Sequence, residues 1–580
     1  MSLAIVQENS ATISAPAMSK PASRRRRSKC SVACVHCRLR KVKCPGSFLS
    51  FCSKSGIEWV TLKTGVPDFD QLATRLMADV GHCFRCQSRA CPLREPEPNE
   101  TTAWLYTQSY FEDTSDVVLG VVSRSWFQDK LRLHFNNNNS SSSSPGPGTM
   151  DDPAWYALRN TIYAYGARQL LAKQSKPRAF SDAIELGNRY FQNALSMHSD
   201  LLFLGTSRLA VQALAVMTHY TEGVSWPSLN YMLCSSAMRL AETKGLHRQP
   251  PLSANLHDAE IYSRSCTWWG IYCYDRYSAV RLGRPLGTDD DSITVQLPRN
   301  LSPENPAQYE AMLCGIRTAQ LSSAILRRLN KFDHRKPSVE EIANTMGELK
   351  QLLADLRASF PSYVSPGDSS PCTNIPAGIT INDVLFLVFS YHISVIQVHS
   401  ILVYPWNIAK LGLNAAEQTQ LQTNIAESSR KCVESARQIL QQLGGITIMP
   451  STPKWLAFFF PLTALIDVFI HVLQNPQESS VESDIVLMRI AAGHFSYLEF
   501  TIPEFSFPLT RDLPNLAQVA VRRSREKCPA PIDIGPPPPS DLSGASADMG
   551  ETTHFEVGLF PAGFNIWSED WSTFLTSTDL

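Results

Sequence analysis

The chain has 580 residues, of which 43% are hydrophobic and 18% charged. That is too apolar for a fully disordered or collagen-like chain, and at about 100–200 residues per domain it implies several units, one of them large. The formal net charge is zero, with 53 basic and 53 acidic residues, which excludes a general polyanion binder. The balance hides opposite ends. Residues 1–44 carry ten Lys or Arg and a single acid, Glu8. Residues 551–580 carry five acids, Glu551, Glu556, Glu569, Asp570 and Asp579, and no Lys or Arg. Opposite charge at opposite ends points to two different partners.

In chain order, residues 1–23 are polar, Ala/Ser-rich and expected to be disordered. They hold no apolar run of signal-peptide length, so the chain reads as unsecreted. Arg24, Arg25, Arg26, Arg27 and Lys29 form a basic run suited to nuclear import or to phosphate contact. Eight of the fifteen cysteines then fall within residues 30–91. Without secretion, such clustering points to metal ligands rather than disulfides.

The pattern is Cys34-Val-His-Cys37-Arg-Leu-Arg-Lys-Val-Lys-Cys44, then Cys83-Phe-Arg-Cys86-Gln-Ser-Arg-Ala-Cys91. Zinc takes four thiolate or imidazole ligands in a tetrahedron. Six thiolates therefore hold two Zn2+ if two sulfurs bridge. The six residues between Cys37 and Cys44 include four cations, Arg38, Arg40, Lys41 and Lys43. A short helix leaving Cys37 carries them toward phosphates and base edges.

These residues resemble the fungal binuclear zinc-cluster (Zn2Cys6) transcription factors. The resemblance implies that Cys34, Cys37, Cys44 and Cys83 bind one zinc and Cys34, Cys83, Cys86 and Cys91 the other. It also implies that Arg40 and Lys41 read a CGG-type triplet in the major groove of double-stranded DNA, with Arg38 and Lys43 on phosphates. The spacing departs from the family. Residues 45–82 separate Cys44 from Cys83, where family loops are several-fold shorter. A true insertion, a retained intron and Cys52 as the fourth ligand are three readings of that stretch. The cluster is assigned to residues 24–95.

Residues 96–150 read as linker, with a low-complexity core at 136–148. Residues 92–135 show no sustained heptads, which leaves a monomer or a homodimer formed through the next region. From 151 to 525 the chain reads as all-α. Apolar residues recur at three and four spacings in 184–220, 228–246, 259–280, 308–330, 340–358, 383–404, 419–443 and 484–498. Trp455–Leu473 and Val384–Val403 approach membrane-spanning length. Pro461, Asp467 and His471 break the first, and Tyr391, His392, Gln397 and His399 the second, so both are expected to be buried core helices, with no membrane partner.

Within this region Ala241-Glu-Thr-Lys-Gly-Leu-His-Arg248, Trp268-Trp-Gly-Ile-Tyr-Cys-Tyr-Asp-Arg276, Ser278, Gly283-Arg-Pro285 and Val295-Gln-Leu-Pro298 stand in order. They resemble the fungal-specific transcription factor regulatory region, or middle homology region. Independently of that, Trp268, Ile271, Tyr272 and Asp275 share one helical stripe and read as scaffold. Gly245 reads as a left-handed helix C-terminus. Asp275 and Arg276 are placed to fix the following turn. The acidic run Asp289–Asp291 reads as a cap or solvated face. No GxSxG, HExxH, Walker or complete GxGxxG string occurs, so no enzyme is expected.

Residues 526–550 form a Pro-rich linker. In 551–580, acids alternate with Phe555, Phe560, Phe564, Trp567, Trp571 and Phe574. This resembles acidic activation tails, which dock on transcriptional coactivators. The sequence as a whole reads as a mostly α, nuclear, zinc-dependent regulator of transcription, possible targets being a secondary metabolite gene cluster. A zinc-stabilised adaptor protein without competent DNA binding is the alternative.

Overall fold

The computed structural model describes residues 54–75, 94–114, 118–140, 152–174, 179–204, 206–224, 227–282, 284–299, 305–333, 335–367, 374–501 and 507–527. The chain divides into two units, 1–528 and 529–580, and every described residue lies in the first.

Among the described residues the fold is all-α. The helices are α1 (Lys54–Thr64), α2 (Glu100–Asp113), α3 (Arg124–Ser140), α4 (Pro153–Ala172), α5 (Ala179–Leu195), α6 (His198–Phe203), α7 (Arg208–Val224), α8 (Pro227–Thr243) and α9 (Asp258–Leu282). They continue with α10 (Pro306–Leu329), α11 (Val339–Ala358), α12 (Ile381–Val403), α13 (Pro405–Leu411), α14 (Ala415–Gln420), α15 (Gln422–Gln441), α16 (Phe460–Gln474), α17 (Val481–Thr501) and α18 (Pro508–Lys527).

Local chemistry sets the boundaries. Asp152 accepts from the Ala154 amide at 3.0 Å ahead of Pro153, and Asn305 accepts from Gln308 at 3.2 Å ahead of Pro306. Thr380 and Asp383 form a reciprocal capping box at the start of α12. At the end of α8, Gly245 has φ +65°, its amide bonds to Glu242 and the Leu246 amide bonds to Ala241. This is the left-handed terminus expected there.

A π-turn over Trp455–Phe459 leads into α16. Pro461 has no N–H for the carbonyl four residues back, Ala457. His494 of α17 takes the place of that donor, its Nε2 donating to the Ala457 oxygen at 2.7 Å.

Three apolar cores hold the body. The first gathers α2, α4, α5, α7, α8 and α9 around Trp155, Tyr163, Phe191, Tyr220 and Trp268. The second gathers α12, α15, α16, α17 and α18. The third lies between α10, α11 and α12. α10 serves all three: Met312 and Ile316 enter the first, Ala311 and Cys314 the second, and Leu321 and Ile325 the third.

Several expectations change. The 184–220 pattern is three helices, α5 to α7, broken at Ser196–Met197 and again before Arg208. The span 96–150 is not a plain linker, because α2 buries Ala103, Tyr106, Tyr110 and Phe111 in the first core. Before it, Arg159 donates to both Glu97 oxygens at 2.9 and 3.0 Å, and Tyr163 donates at 2.9 Å. Asn193 donates to the Glu95 carbonyl at 2.8 Å. Residues 54–75, inside the expected loop 45–82, place Val60, Phe69 and Ala73 in the second core. Trp59 meets Trp406 edge-on at 6.1 Å.

Among the described residues, two helices are long and apolar enough to cross a membrane, Ile381–Val403 and Trp455–Gln474. They are 83% and 89% buried inside the body, so both act as core helices, as the polar breaks led one to expect.

Candidate functional site

The expected metal ligands Cys34, Cys37, Cys44, Cys83, Cys86 and Cys91 lie outside the described residues, as do Arg38, Arg40, Lys41 and Lys43. So do Arg24–Arg27 with Lys29, and the tail aromatics from Phe555 to Phe574. The structure fixes what adjoins them. Residues 54–75 precede the Cys83–Cys91 group and 94–99 follow it, and both flanks are packed on the body.

Inside the body, the strings at 241–248, 268–276 and 295–298 converge. The His247 carbonyl accepts from the amides of Thr294 and Val295 at 2.9 and 3.1 Å. The Gln296 carbonyl accepts from the Ser265 hydroxyl at 2.8 Å and the Trp269 indole at 3.0 Å. α9 is buried on all sides over this span rather than along one stripe. Trp268, Ile271, Tyr272, Cys273, Tyr274, Asp275 and Arg276 are each at most 5% exposed.

Asp275 and Arg276 organise the chain that follows, slightly beyond the Gly283-Arg-Pro turn expected. Arg276 donates to Asp275 at 2.6 Å, and to the Thr288 carbonyl and Asp290 at 2.7 Å each. The Gly287 amide donates to Asp275 at 3.0 Å. A Cβ at Gly287 would sit 2.7 Å from the Asp275 carboxylate, so this close approach needs glycine. Burial pushes the Asp275 carboxyl upward against the pull of Arg276. Burial also acts on Asp290, but the Ser323 hydroxyl and Arg276 hold it below the usual carboxylate range.

The Asp289–Asp291 run is thereby explained. Asp289 caps a short 3-10 turn, Asp290 faces Arg276, and Asp291 pairs with Arg327 at 3.2 Å. Among the described residues no group of three His, Cys, Asp or Glu is arranged to hold a metal. The described thiols are buried, and burial raises Cys266 and Cys273 to about 12, so they are not thiolates at neutral pH.

Beside this network lies a cavity of about 60 Å3. Glu222, His219, Tyr274 and Tyr277 close it on one side, Phe386 and Trp455 on the other. The Phe386 and Trp455 rings lie 4.3 Å apart with their planes tilted by 58°, and Tyr277 meets Phe386 edge-on at 5.1 Å. Glu222 is bound in two-pronged fashion by Arg281, and Tyr277 donates to the Gly315 carbonyl at 2.8 Å. The space suits a few waters rather than a drug-sized ligand. Sequence reasoning missed Glu222 and Trp455, because they lie 233 residues apart and neither has a local signature.

Among the described residues, these helices seal charged pairs inside the body, Asp275 with Arg276 and Glu222 with Arg281. The chain is similar to an ABC-transporter-regulating transcription factor of Aspergillus fumigatus, 25% identical over 491 residues, covering 81% of this chain and 52% of that protein. A protein of the same description from Aspergillus oryzae is 26% identical over 492 residues, covering 81% and 53%. A Fusaridione A cluster transcription factor of Fusarium heterosporum is 22% identical over 428 residues, covering 71% and 78%. The chain spans about half the length of the two Aspergillus relatives. The fungal specific transcription factor domain matches residues 107–430, more than half of the chain. The converging strings of α8 and α9 fall in that span, with the helices around them, and the chain belongs to the fungal-specific transcription factor family.

Proposed function

We propose that the chain is a nuclear, sequence-specific, zinc-dependent transcription activator. The observation that carries this is the string CVHCRLRKVKC at 34–44 joined to a body of this family. The donor chemistry fits: six cysteines in two CxxC-plus-one sets supply six thiolates, enough for two zinc ions with two bridging sulfurs. Zinc supplies the folding energy of such a small module. Cys34, Cys37, Cys44, Cys83, Cys86 and Cys91 hold it. Arg40 and Lys41 then donate to guanine O6 and N7 of a CGG-type half-site. Arg38, Lys43 and the arm Arg24–Arg27 with Lys29 neutralise phosphates, and the arm also serves nuclear import. The tail at 551–580 offers six aromatics, kept solvated by acids, to coactivators.

The target class favoured here is a secondary metabolite gene cluster, supported by the Fusarium relative's description as a cluster transcription factor; an ABC-transporter gene is the second, from the Aspergillus descriptions. Purified protein should contain two zincs per chain and bind a CGG duplex. Arg40→Ala with Lys41→Ala should abolish selectivity while keeping both zincs. One zinc or none on intact protein refutes the cluster. Deleting 551–580 should leave DNA binding intact and silence a reporter; undiminished activation overturns the tail assignment.

A zinc-stabilised adaptor is the second reading, favoured by the packing of 54–75 into the body between the two cysteine sets. Unchanged function in the Arg40/Lys41 variant would select it.

A further inference from the structure

α18 buries Leu513, Ala517 and Val521 at four-residue spacing in the second core, and α1 packs against it, against α13 and against α16. The join is closest at Gly65, just past the end of α1. Its φ is +72°, and a Cβ there would collide with the Arg523 guanidinium, so Arg523 rests on the bare backbone of this turn. Arg522, Arg523 and Arg525 are exposed at this end of α18. Glu482 takes Arg525 at 2.8 Å. Among the described residues no carboxylate pairs with Arg522, with Arg523 or with exposed Lys63 of α1, whose Nζ lies over the Trp59 ring at 5.8 Å. Glu526, exposed on the same turn, offsets one of these charges. A helix C-terminus tolerates cations, so the arginines cost α18 little, and they leave a net positive surface where the two helices meet.

The partner follows from where the described chain stops. Cys44 lies ten residues before Lys54, Cys83 eight after Arg75 and Cys91 three before Arg94. At about 3.5 Å per residue these stretches reach at most roughly 35, 28 and 10 Å. α1 and residues 94–99 are docked on the body, so the chain holds those cysteines within these lengths of it. One turn of duplex beyond a half-site there covers a similar length, roughly 35 Å.

We propose that Arg522 and Arg523 of α18, with Lys63 of α1, form a second phosphate-contacting surface, which grips the duplex within about one turn of the half-site. The inference rests on the reading of residues 34–91 as the DNA-binding region. Contacts of this kind add affinity and salt dependence without reading bases. They also give the long spacing between Cys44 and Cys83 a use, because α1 lies within it and brings the surface and the half-site together.

Fluorescence anisotropy of the full chain with zinc, on CGG duplexes of about 10 and about 30 base pairs over a salt series, tests this. The longer duplex should bind at least about tenfold more tightly. Arg522→Ala with Arg523→Ala should remove most of that advantage and lower the salt slope on the longer duplex by up to roughly 2. Binding to the short duplex and the preference for CGG should not change. Arg522→Lys with Arg523→Lys should keep the slope, because phosphate contact depends on the charge. Both positions are exposed, so the thermal midpoint should stay within a few degrees, and that measurement separates a lost contact from an unfolded chain. Equal losses on the two duplexes, or an unchanged slope in the alanine variant, overturn this inference and leave the DNA-binding reading standing. A chain that binds neither duplex overturns both.

Discussion

Asp467 sits buried in α16, where Tyr404 donates to one carboxylate oxygen and the other has no partner. Burial raises this carboxyl to about 7, opposed by the Tyr404 bond. Its folded-state value lies above the unfolded one of 3.8, so its contribution is full below 3.8 and is lost as pH rises through about 7. His392 and His399 act in the other sense. Burial, then Arg357, lowers His392 to about 4; burial, then Lys350, lowers His399 to about 4. The unfolded chain takes up those protons near 6.5, so their contribution is lost as pH falls from 6.5 toward 4. Asp467→Asn should remove the loss of stability between about pH 4 and pH 7, a few kcal/mol on the order of the shift. His392→Phe should flatten the acid limb below about pH 6.5. Urea midpoints across pH test both; an unchanged profile in either variant contradicts the assignment. Arg276→Met should be far costlier, about 3–5 kcal/mol, because it strands Asp275 and Asp290 inside the body.

At the scale of the element, α4 and α2 approach so closely that a Cβ at Gly166 would lie 2.2 Å from the Tyr106 carbonyl oxygen. Gly166→Ala should cost roughly 3 kcal/mol or more, against about 1 kcal/mol for Gly245→Ala at the α8 terminus. Thermal or urea denaturation distinguishes the two. The same two glycines show what local pattern conveys. α8 and α9 to α12 were legible because apolar residues recur at three and four spacings, and Gly245 was legible as a terminus. α4 was not, because Ala154 through Gln169 are buried on nearly every side and no polar stripe marks the period. α9 was legible as a helix, but its single stripe was wrong for the same reason. The docking of Glu97 onto Arg159 spans 62 residues, and no local spacing encodes it. The cysteines of 34–91 are the reverse case: the expectation of zinc ligands and DNA-facing cations there rests on spacing, residue type and resemblance, and lies outside the described residues.

For the whole molecule, the basic N-terminal end makes a quantitative prediction. If Arg24–Arg27 bind phosphates, replacing all four with alanine should reduce the salt slope of duplex binding by about 0.9 per phosphate released, up to roughly 4. Fluorescence anisotropy over a salt series reads this; an unchanged slope assigns the run to import alone. The two long apolar helices show how polar breaks separate a core from a membrane span. Asp467, His471 and His392 are tolerated because the body encloses them and sets their protonation.

The packing of α1 also orders events in time. Val60 and Phe69 rest on a core completed by Leu513, Ala517 and Val521 of α18. A ribosome adding about 5–20 residues per second needs on the order of a minute to travel between them. Until Trp406 and α16 have emerged, the early helix, with Trp59 and Val60 on its packing face, lacks any of the surface it settles on, and α18 completes that surface last. The nascent chain must therefore be held by a chaperone, or finish synthesis before its first helix is buried, and a product stopped ahead of Pro508 should be recognised and degraded as misfolded.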